Sequence, residues 1–371
     1  MTHSGKMPDT VFLSIVALLI CSGVFIFMSA SFGLLARAGA GWGNVLFSQF
    51  ALGLGGGLVA ALVAYFIPLR LLRRYAFYIF ILALIATLFV FIPGLGLKAG
   101  GAARWVIVAG ISFQPSEMLK IALVLFLATW FASLGKDVQS VRYGLLPFIG
   151  ILAITGAVIV AQPDNGTFMV MFATAIAMFL AAGGKLLHLG YMVLGAIALI
   201  GVLALTRPYV MDRIETFINP SADPLGGSYQ IRQSLLAIGS GQATGKGFGQ
   251  SIQKFQYLPE PIGDSIFAVL GEEFGFLGTL FVLCLFIALG LRGLRIATRA
   301  PDRFSRLLIT GLVIMIMAQA FLNMGAMIGL VPLTGIPLPF ISHGGTALMF
   351  MLVAAALVLS ASRYHSNIKP A

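Results

Sequence analysis

The stretch LPEPIGDSIFAVLGEEFGFLGTLFVLCLFIALGLR, residues 258–292, combines acidic and membrane-like character. Its first half contains four carboxylates, Glu260, Asp264, Glu272 and Glu273, and its second half is apolar enough to enter a lipid bilayer. A helix of about 20 apolar residues spans the hydrocarbon core. The stretch therefore predicts a membrane helix with an unusually acidic entry, and it raises the question of what the carboxylates do there.

The composition extends this interpretation to the whole chain. Of the 371 residues, 59% are hydrophobic and only 9% are charged, and the mean hydropathy is +1.01. Soluble domains carry about 25% charged residues, so a soluble fold is excluded. The two cysteines, Cys21 and Cys284, lie in apolar runs and show neither a metal-ligand spacing nor a disulfide pattern.

Ten apolar runs are long enough to cross a bilayer as helices. They are continuous rather than alternating, which excludes the strands of a membrane barrel. We predict an all-α, polytopic integral membrane protein with about ten transmembrane helices, a single domain over 1–371 and a large extracytoplasmic loop at about 207–263, between helices 7 and 8. The approximate limits of the runs are 11–33, 46–68, 75–93, 115–134, 144–161, 166–183, 186–206, 264–291, 305–330 and 343–362.

The distribution of basic residues gives the predicted orientation. With both termini in the cytoplasm, the inner segments contain most of the lysines and arginines, whereas the short outer loops contain only Arg37, Lys98 and Arg104. This is the positive-inside pattern of membrane proteins. The net charge of +11 is therefore explained by topology rather than by nucleic-acid binding.

Four loops rich in glycine, proline and polar residues lie on the predicted outer side, and such loops commonly carry functional sites. We expect them to converge on one site. A carboxylate, basic groups and a glycine-rich loop suit an anionic, lipid-linked substrate, with a transporter as the main alternative. The loops read GLGLKAGGAARWVIVAGISFQPSE (94–117), QPDNGT (162–167), YQIRQSLLAIGSGQATGKGFGQSIQKFQYLPEPIGD (229–264) and PLTGIPLPFISHGG (332–345).

The carboxylates of the opening stretch have structural and functional interpretations. Asp264 follows two prolines and precedes a helix, so it is either the N-cap of that helix or a carboxylate placed for proton transfer. Glu272 and Glu273 lie near mid-membrane, where a charge costs about 2.5–3.5 kcal/mol. They are partners of a polar group on another span, members of a proton or ion path, or a support of the Asp264 site.

Other charged residues have the same two kinds of interpretation. Glu117 and Lys120 share a helix face, where an ion pair would let both charges enter the membrane. Asp164 lies in a tight PDNG turn, where Asp is common for local hydrogen bonding. His343 begins a helix and is surrounded by no set of metal ligands in the sequence, so we interpret it as a structural residue.

The segment GSGQATGKGFG, residues 239–249, resembles a phosphate-binding loop only in part. It fails the Walker pattern, because Ser240 stands at the first glycine and Gly247 replaces the Ser or Thr after the lysine. The segment is either a flexible loop or, beside Lys246 and Lys254, a backbone cradle for a phosphate.

Several motifs together resemble the SEDS family, named for shape, elongation, division and sporulation. They are GAARW with QPSEMLK, QPDNGT, SLLAIGSG followed by GKGFGQSIQKFQYLPEPIGDSIFAVLGEEFG, and GIPLPFISHGG, in the family's order and topology. The resemblance extends from the first predicted span to the tenth, and SIQK before LPE is more similar to the division branch than to the elongation branch. The chain departs from the family where Pro261, Ile262 and Gly263 replace an Ala-His-Thr-like segment, and where His343 replaces a common Tyr.

The resemblance implies a peptidoglycan glycosyltransferase that polymerises lipid II, an undecaprenyl-pyrophosphoryl disaccharide-pentapeptide, on the outer face of the bacterial cytoplasmic membrane. The implied partners are a class B penicillin-binding protein and other membrane proteins of the division or elongation machinery. Asp264 matches the family's essential Asp after LPE and is predicted to be the general base. Polar positions of the family's outer cavity are matched by Arg104, Glu117, Lys120 and Asp164.

Further predicted substrate contacts are Lys246, Lys254, Glu260, Ser342 and His343. The departing pyrophosphate is expected to be stabilised by one of the basic residues Arg104, Lys120, Lys246 and Lys254, and by a divalent cation, Mg²⁺ or Mn²⁺. No organic cofactor is expected. A lipid II flippase and a non-catalytic scaffold are the alternatives that the sequence leaves open.

Overall fold

Long apolar runs form helices because a bilayer offers the backbone no hydrogen-bonding partner. The computed structural model describes residues 7–35, 41–99, 102–108, 111–206, 208–219 and 228–364. A π-helical segment, Phe47–Gly56, joins α2 to α3, and another, Val141–Leu145, precedes α6; short 3-10 helices span Phe89–Phe91 and Gly135–Gln139. The α-helices are α1 (Thr10–Leu35), α2 (Trp42–Leu46), α3 (Gly57–Phe66), α4 (Leu69–Leu88), α5 (Pro115–Leu134), α6 (Leu146–Val160), α7 (Asn165–Ala181), α8 (Leu186–Thr206), α9 (Pro208–Ile218), α10 (Tyr229–Ser240), α11 (Gln253–Gln256), α12 (Ile266–Thr298), α13 (Arg303–Met327) and α14 (Gly345–Ser362).

The prediction of a polytopic helical membrane protein is confirmed. Within the described residues, eight helical stretches are long and apolar enough to cross a membrane. The other two predicted spans, 166–183 and 186–206, also form apolar helices, of which α7 is 17 residues long. The chain is therefore a multi-pass membrane protein.

Two regions that we predicted to be outer loops contain more regular structure than expected. Residues 96–113 form a small antiparallel sheet in the order β1 (Gly96–Ala99), β2 (Ala102–Val108) and β3 (Ile111–Phe113). The long loop at 207–263 contains the helices α9, α10 and α11. Arg37, used to predict the orientation, lies outside the described residues, as do the two termini and residues 220–227 of the long loop.

The helix α13 forms the centre of the bundle, because it packs against α5, α7, α12 and α14. The outer helices turn apolar side chains away from the protein, as lipid-facing helices do. Phe25 on α1, Leu62 on α3 and Leu82 on α4 are all more than half exposed. The buried core and the functional loops therefore gather around α13.

The helix α12 is broken near its first third. Gly275 has φ 64° and ψ −161°, a backbone conformation that is essentially restricted to glycine. The loop that follows α10 meets this break and pairs its backbone with that of α12, while most of its residues from 242 to 250 remain exposed.

A close contact between α1 and the loop before α14 can be tested by substitution. A Cβ at Gly23 would collide with the carbonyl oxygen of Phe340, whereas a Cβ at Gly150 on α6 meets no atom within 4 Å. We expect Gly23→Val to destabilise the protein by about 1–3 kcal/mol through overpacking. A thermal melt in detergent measures this loss, with Gly150→Val as the control. Equal midpoints for the two variants would contradict the contact.

Candidate functional site

Gly335, in the loop between α13 and α14, lies at the centre of the candidate site. It has a positive φ of 66°. A Cβ at this position would lie 3.9 Å from Arg104 Nη1 and 3.9 Å from Asp264 Oδ2. The guanidinium and the carboxylate thus both border the space that a larger side chain at this position would fill. We call this space the Gly335 gap.

Amide side chains from two helices fix the Asp264 segment. Gln230 Nε2, at the start of α10, donates to Asp264 Oδ1 at 3.1 Å and to Ser265 Oγ at 3.0 Å. Asn323 Nδ2, on α13, donates to the carbonyl oxygens of Asp264 and Ile336, each at 2.8 Å. The carboxylate is therefore positioned by α10, while its backbone is tied to the loop that contains Gly335.

The interpretation of Asp264 as the N-cap of α12 is wrong. The helix begins at Ile266, and its N-cap residue is Ser265, whose side chain makes no capping hydrogen bond. The Asp264 carboxylate instead lies beside the Gly335 gap. The functional interpretation of this residue is the one that the geometry favours.

Burial raises the pKa of the Asp264 carboxyl to about 6, from an ordinary value of 3.8. The hydrogen bonds from Gln230 and Ser265 lower this pKa, and the neighbouring Glu260 carboxylate raises it. Glu260 is exposed and has a left-handed φ of 45°. Its carbonyl accepts from the amides of Gly263 and Ser265, a tight turn that brings its charge near Asp264. A carboxyl that titrates near 6 is well matched to act as a base at neutral pH.

Arg104 connects the small sheet to the PDNG turn. Its Nη2 donates to the carbonyl of Pro163, and its Nε lies 3.9 Å from Asp164 Oδ1, an ion pair too long for a direct hydrogen bond. Asp164 is the N-cap of α7 and accepts from the Thr167 amide at 3.4 Å. Asp164 therefore combines the predicted local role in the turn with a second role as counter-ion of Arg104.

Glu117 and Lys120 form the predicted ion pair, at 2.8 Å, and both side chains are buried. Lys120 Nζ also donates to Gln319 Oε1 at 2.5 Å. Gln319 Nε2 in turn donates to the carbonyl of Pro337, at 2.9 Å. The ion pair is thereby linked, through an amide on α13, to the loop that forms the Gly335 gap.

Lys246 and Lys254 pair with the glutamates of α12 and not with a group at the Gly335 gap. Lys254 Nζ is buried and donates to Glu273 Oε1 at 2.6 Å, and Lys246 Nζ donates to Glu272 Oε1 at 2.7 Å. Of the three interpretations of the two glutamates, a polar partner on another span is confirmed for Glu273, because Ser29 on α1 donates to it. Glu272 instead accepts from residues of the loop that follows α10.

Ser342 and His343 stabilise the loop around the candidate site. Ser342 Oγ accepts from the Leu338 amide at 2.8 Å. The His343 amide donates to the Ile262 carbonyl at 2.7 Å, just before Asp264 in the chain, and its ring stacks on Phe27. Burial lowers the pKa of the His343 imidazole. In the part of the chain that the structure describes, no group of three His, Cys, Asp or Glu side chains forms a metal site.

Sequence reasoning missed the three amides that organise these contacts: Gln230, Gln319 and Asn323. One signal was available, because Gln319 and Asn323 stand four residues apart in an otherwise apolar helix and so share one face. Gln230 gave no comparable signal, since α10 lay in a region predicted to be a loop.

Known proteins resemble this chain over almost its entire length. Residues 9–367 match the model of a family described as cell cycle protein, whose name joins FtsW, RodA and SpoVE. Stage V sporulation protein E of Bacillus subtilis is 39% identical, over 98% of this chain and 99% of its own. A probable peptidoglycan glycosyltransferase FtsW of a Geobacter species is 36% identical, over 95% and 96%.

A solved structure supports the same comparison. A chain from a peptidoglycan synthase complex, in which polymerization and crosslinking are structurally coordinated, superposes with a TM-score of 0.77 and 26% identity. The superposition covers 97% of this chain and 99% of the other. The comparison therefore includes the four loops as well as the helices.

The environment of Asp264 predicts opposite pKa shifts for two substitutions. Gln230→Leu removes a hydrogen bond that favours the ionised carboxylate, so the pKa of Asp264 rises above about 6. Glu260→Gln removes a nearby negative charge, so this pKa falls. Infrared titration of the carboxylate band that disappears in Asp264→Asn measures both shifts. Shifts in the same direction would contradict the assigned contacts.

Proposed function

The chain belongs to the SEDS family, the cell cycle protein family of FtsW, RodA and SpoVE, and we propose that it is a peptidoglycan glycosyltransferase that polymerises lipid II. The observation that carries this proposal is the Gly335 gap, which is bordered by a carboxyl with a pKa of about 6 and by a guanidinium. A base and a cation that border one space suit the transfer of a sugar from a pyrophosphate leaving group.

Asp264 acts on the acceptor in this reaction. The 4-hydroxyl of one lipid II attacks the anomeric carbon of the other glycan, and its proton passes to the Asp264 carboxylate. The new glycosidic bond forms as the bond from the anomeric carbon to pyrophosphate breaks. A single displacement of this kind inverts the anomeric centre. Because Asp264 is ionised above about pH 6, it is ready to accept the proton at neutral pH.

Arg104 acts on the departing undecaprenyl pyrophosphate. A guanidinium presents several donors in a fixed plane and suits phosphate oxygens. Its Nη2 is oriented by the Pro163 carbonyl and its Nε lies 3.9 Å from the Asp164 carboxylate, while Nη1 lies at the Gly335 gap. Lys246 and Lys254 are engaged with buried glutamates, so Arg104 is the preferred pyrophosphate ligand among the basic residues predicted for this role.

The proposal includes a divalent cation, Mg²⁺ or Mn²⁺, only as an ion bound to the phosphate oxygens of the substrate. Within the described residues, no cluster of three His, Cys, Asp or Glu side chains holds a metal. Mg²⁺ at phosphate sites is commonly bound by one or two carboxylates together with substrate oxygens. No step above depends on the cation.

The cellular setting of this activity is part of the same proposal. The positive-inside pattern supports a position of the Gly335 gap on the outer face of the bacterial cytoplasmic membrane, where lipid II would be consumed. A class B penicillin-binding protein is the proposed partner, because the superposed chain comes from a synthase complex that coordinates polymerization and crosslinking. Other membrane proteins of the division machinery are proposed neighbours, and membership of the division branch stays a prediction.

The role of Asp264 is tested by a polymerisation assay. Purified chain, with and without a class B penicillin-binding protein, is given lipid II and Mg²⁺ or Mn²⁺, and the products are separated as a glycan ladder. Because a general base contributes about 10²–10⁴-fold, Asp264→Asn should lower the rate at least a hundredfold. Asp137→Asn, an exposed carboxylate, serves as the control. Wild-type yield from a folded Asp264→Asn protein would contradict the assignment, and a wild-type chain that makes no polymer with any partner or cation would favour transport.

The role of Arg104 is tested by a substitution that keeps its charge. Arg104→Lys retains a cation but loses the planar set of donors that joins Pro163, Asp164 and the Gly335 gap. We expect kcat to fall by about tenfold to a hundredfold, since the lost contact stabilises the developing charge. Steady-state kinetics on lipid II, with Arg142→Lys at an exposed site as the control, decide the matter. An unchanged kcat would remove Arg104 from the mechanism.

A further inference from the structure

The break of α12 at Gly275 leaves backbone groups that the helix itself cannot pair. In an unbroken helix, the amides of Phe276 and Leu277 would donate to the carbonyls of Glu272 and Glu273. The break prevents both bonds. Glu272 and Glu273 lie about 10 Å along the helix from its first residue, at a depth where water cannot be relied on to satisfy these groups.

The two amides find acceptors in the segment that follows α10. Phe276 N donates to the Gln242 carbonyl at 2.8 Å, and Leu277 N donates to the Ala243 carbonyl at 3.0 Å. The segment from residue 242 to residue 254, which we call the inserted segment, thus takes the place of part of the preceding helical turn.

The two carbonyls find donors in the same inserted segment. Lys246 N donates to the Glu272 carbonyl at 3.0 Å, and Gly247 N donates to the Glu273 carbonyl at 2.9 Å. All four backbone groups released by the break are therefore paired with one short stretch of chain. The glycine-rich sequence permits this close approach, because a Cβ at Gly275 would collide with the backbone amide of Gly245.

The Glu272 side chain fixes the far end of the inserted segment. Its carboxylate accepts from Lys246 Nζ at 2.7 Å and from Ser251 Oγ at 2.5 Å. It also accepts from the backbone amides of Ile252 at 3.1 Å and Gln253 at 3.2 Å. One glutamate thus binds four residues of the inserted segment.

The Glu273 side chain fixes the inserted segment to α1. Its carboxylate accepts from Lys254 Nζ at 2.6 Å and from the Ser251 amide at 3.3 Å. Ser29 Oγ on α1 donates to the same carboxylate and accepts from the Gly249 amide and from Lys254 Nζ. Lys254 and Glu273 are completely buried, and removal of one partner would leave an uncompensated charge.

The inserted segment connects directly to the elements that position Asp264. At its beginning lies α10, which packs along α12 and whose first turn carries Gln230, the donor to Asp264 Oδ1. At its end lies the short chain that leads through Glu260 to Asp264 itself. Both sides of the Gln230–Asp264 hydrogen bond are therefore anchored by the inserted segment.

We propose that Glu272 and Glu273 are positioning residues for Asp264, because they keep the inserted segment in the break of α12 and so set Gln230 against the Asp264 carboxylate. This inference rests on the proposed function for its kinetic consequence. In this role the two membrane glutamates fix the position of the general base. They neither contact the substrate nor form a proton path.

Three variants of the buried ion pair test this role. Glu273→Gln and Lys254→Met each leave one charge unpaired, whereas the double variant removes both charges together. We expect each single variant to lower kcat for glycan polymerisation at least about tenfold, with KM for lipid II changed less than about twofold, because small misplacements of a reacting group are costly. The double variant should recover kcat to within about threefold of wild type.

An ion pair on the same helix provides the matched control. Arg292, near the other end of α12, pairs with Asp9 at 2.7 Å, and its side chain is a quarter exposed, so this ion pair is more accessible to solvent and lies far along the chain from Asp264. Arg292→Gln should leave kcat and KM within about twofold of wild type. A loss of kcat in Arg292→Gln equal to that in Glu273→Gln would overturn the inference, because it would show a general effect of destabilising α12.

A second variant tests the backbone half of the inference without altering charge. Gly275→Ala places a Cβ against Gly245 and strains the positive φ, so it should displace the inserted segment. We expect a fall in kcat similar to that of Glu273→Gln. The inference would be overturned if kcat were unchanged in a protein whose inserted-segment amides exchange faster with solvent than in wild type.

Hydrogen exchange separates this inference from the proposed function. In Glu273→Gln and Gly275→Ala, amides in 242–254 and in the first turn of α10 should exchange at least about tenfold faster than in wild type, and those in Arg292→Gln should not. If exchange in α10 stays at the wild-type rate, the inference is wrong whatever the kinetics show. If wild type makes no polymer, the proposed function is wrong, and faster exchange at Gln230 still supports the structural link.

Discussion

A backbone amide or carbonyl that enters the hydrocarbon core of a membrane must be paired by the protein itself. In α12 this requirement is met in an unusual way, because the helix breaks at Gly275 and the segment 242–254 supplies the missing partners. The same segment neutralises Glu272 and Glu273 with Lys246 and Lys254. The position of α10, and with it the environment of Asp264, depends on these hydrogen bonds between α12 and the segment.

The buried charges of the protein divide into two groups with different consequences. The members of the pairs Glu117–Lys120 and Lys254–Glu273 lie within hydrogen-bonding distance of each other, and both lysines make a further hydrogen bond. These charges therefore have a structural role and are not available for reaction. Asp264 instead receives a neutral amide, and burial raises the pKa of its carboxyl to about 6. Among the described residues no ion pair within 4 Å involves Asp264, although Arg104 borders the same gap, and an incompletely compensated carboxylate of this kind is characteristic of a catalytic site.

Much of this arrangement could be predicted from the sequence, and the remainder depends on contacts that local pattern does not encode. Apolar run length identified the membrane helices, and the spacing of Glu117 and Lys120 gave their ion pair. The break at Gly275 was hidden, because a single glycine after Glu272 and Glu273 does not by itself indicate a broken helix, and the hydrogen bonds of the break reach some 30 residues back along the chain. Lys254 was assigned to phosphate for the same reason, since its partner Glu273 lies on another element. The sheet that carries Arg104 was missed because β1 and β3 are only four and three residues long and the strands lack a clear alternation.

The most direct test of the account is the structure of the chain with a non-hydrolysable lipid II analogue, determined by electron cryomicroscopy. The account predicts that the acceptor 4-hydroxyl lies within about 3.2 Å of the Asp264 carboxylate, the reach of a general base, and that the pyrophosphate contacts Arg104 at the Gly335 gap. The ion pairs of Glu272 and Glu273 should remain closed. A pyrophosphate bound by Lys246 or Lys254, with Asp264 distant from any sugar hydroxyl, would contradict the assignment of both the base and the leaving-group site.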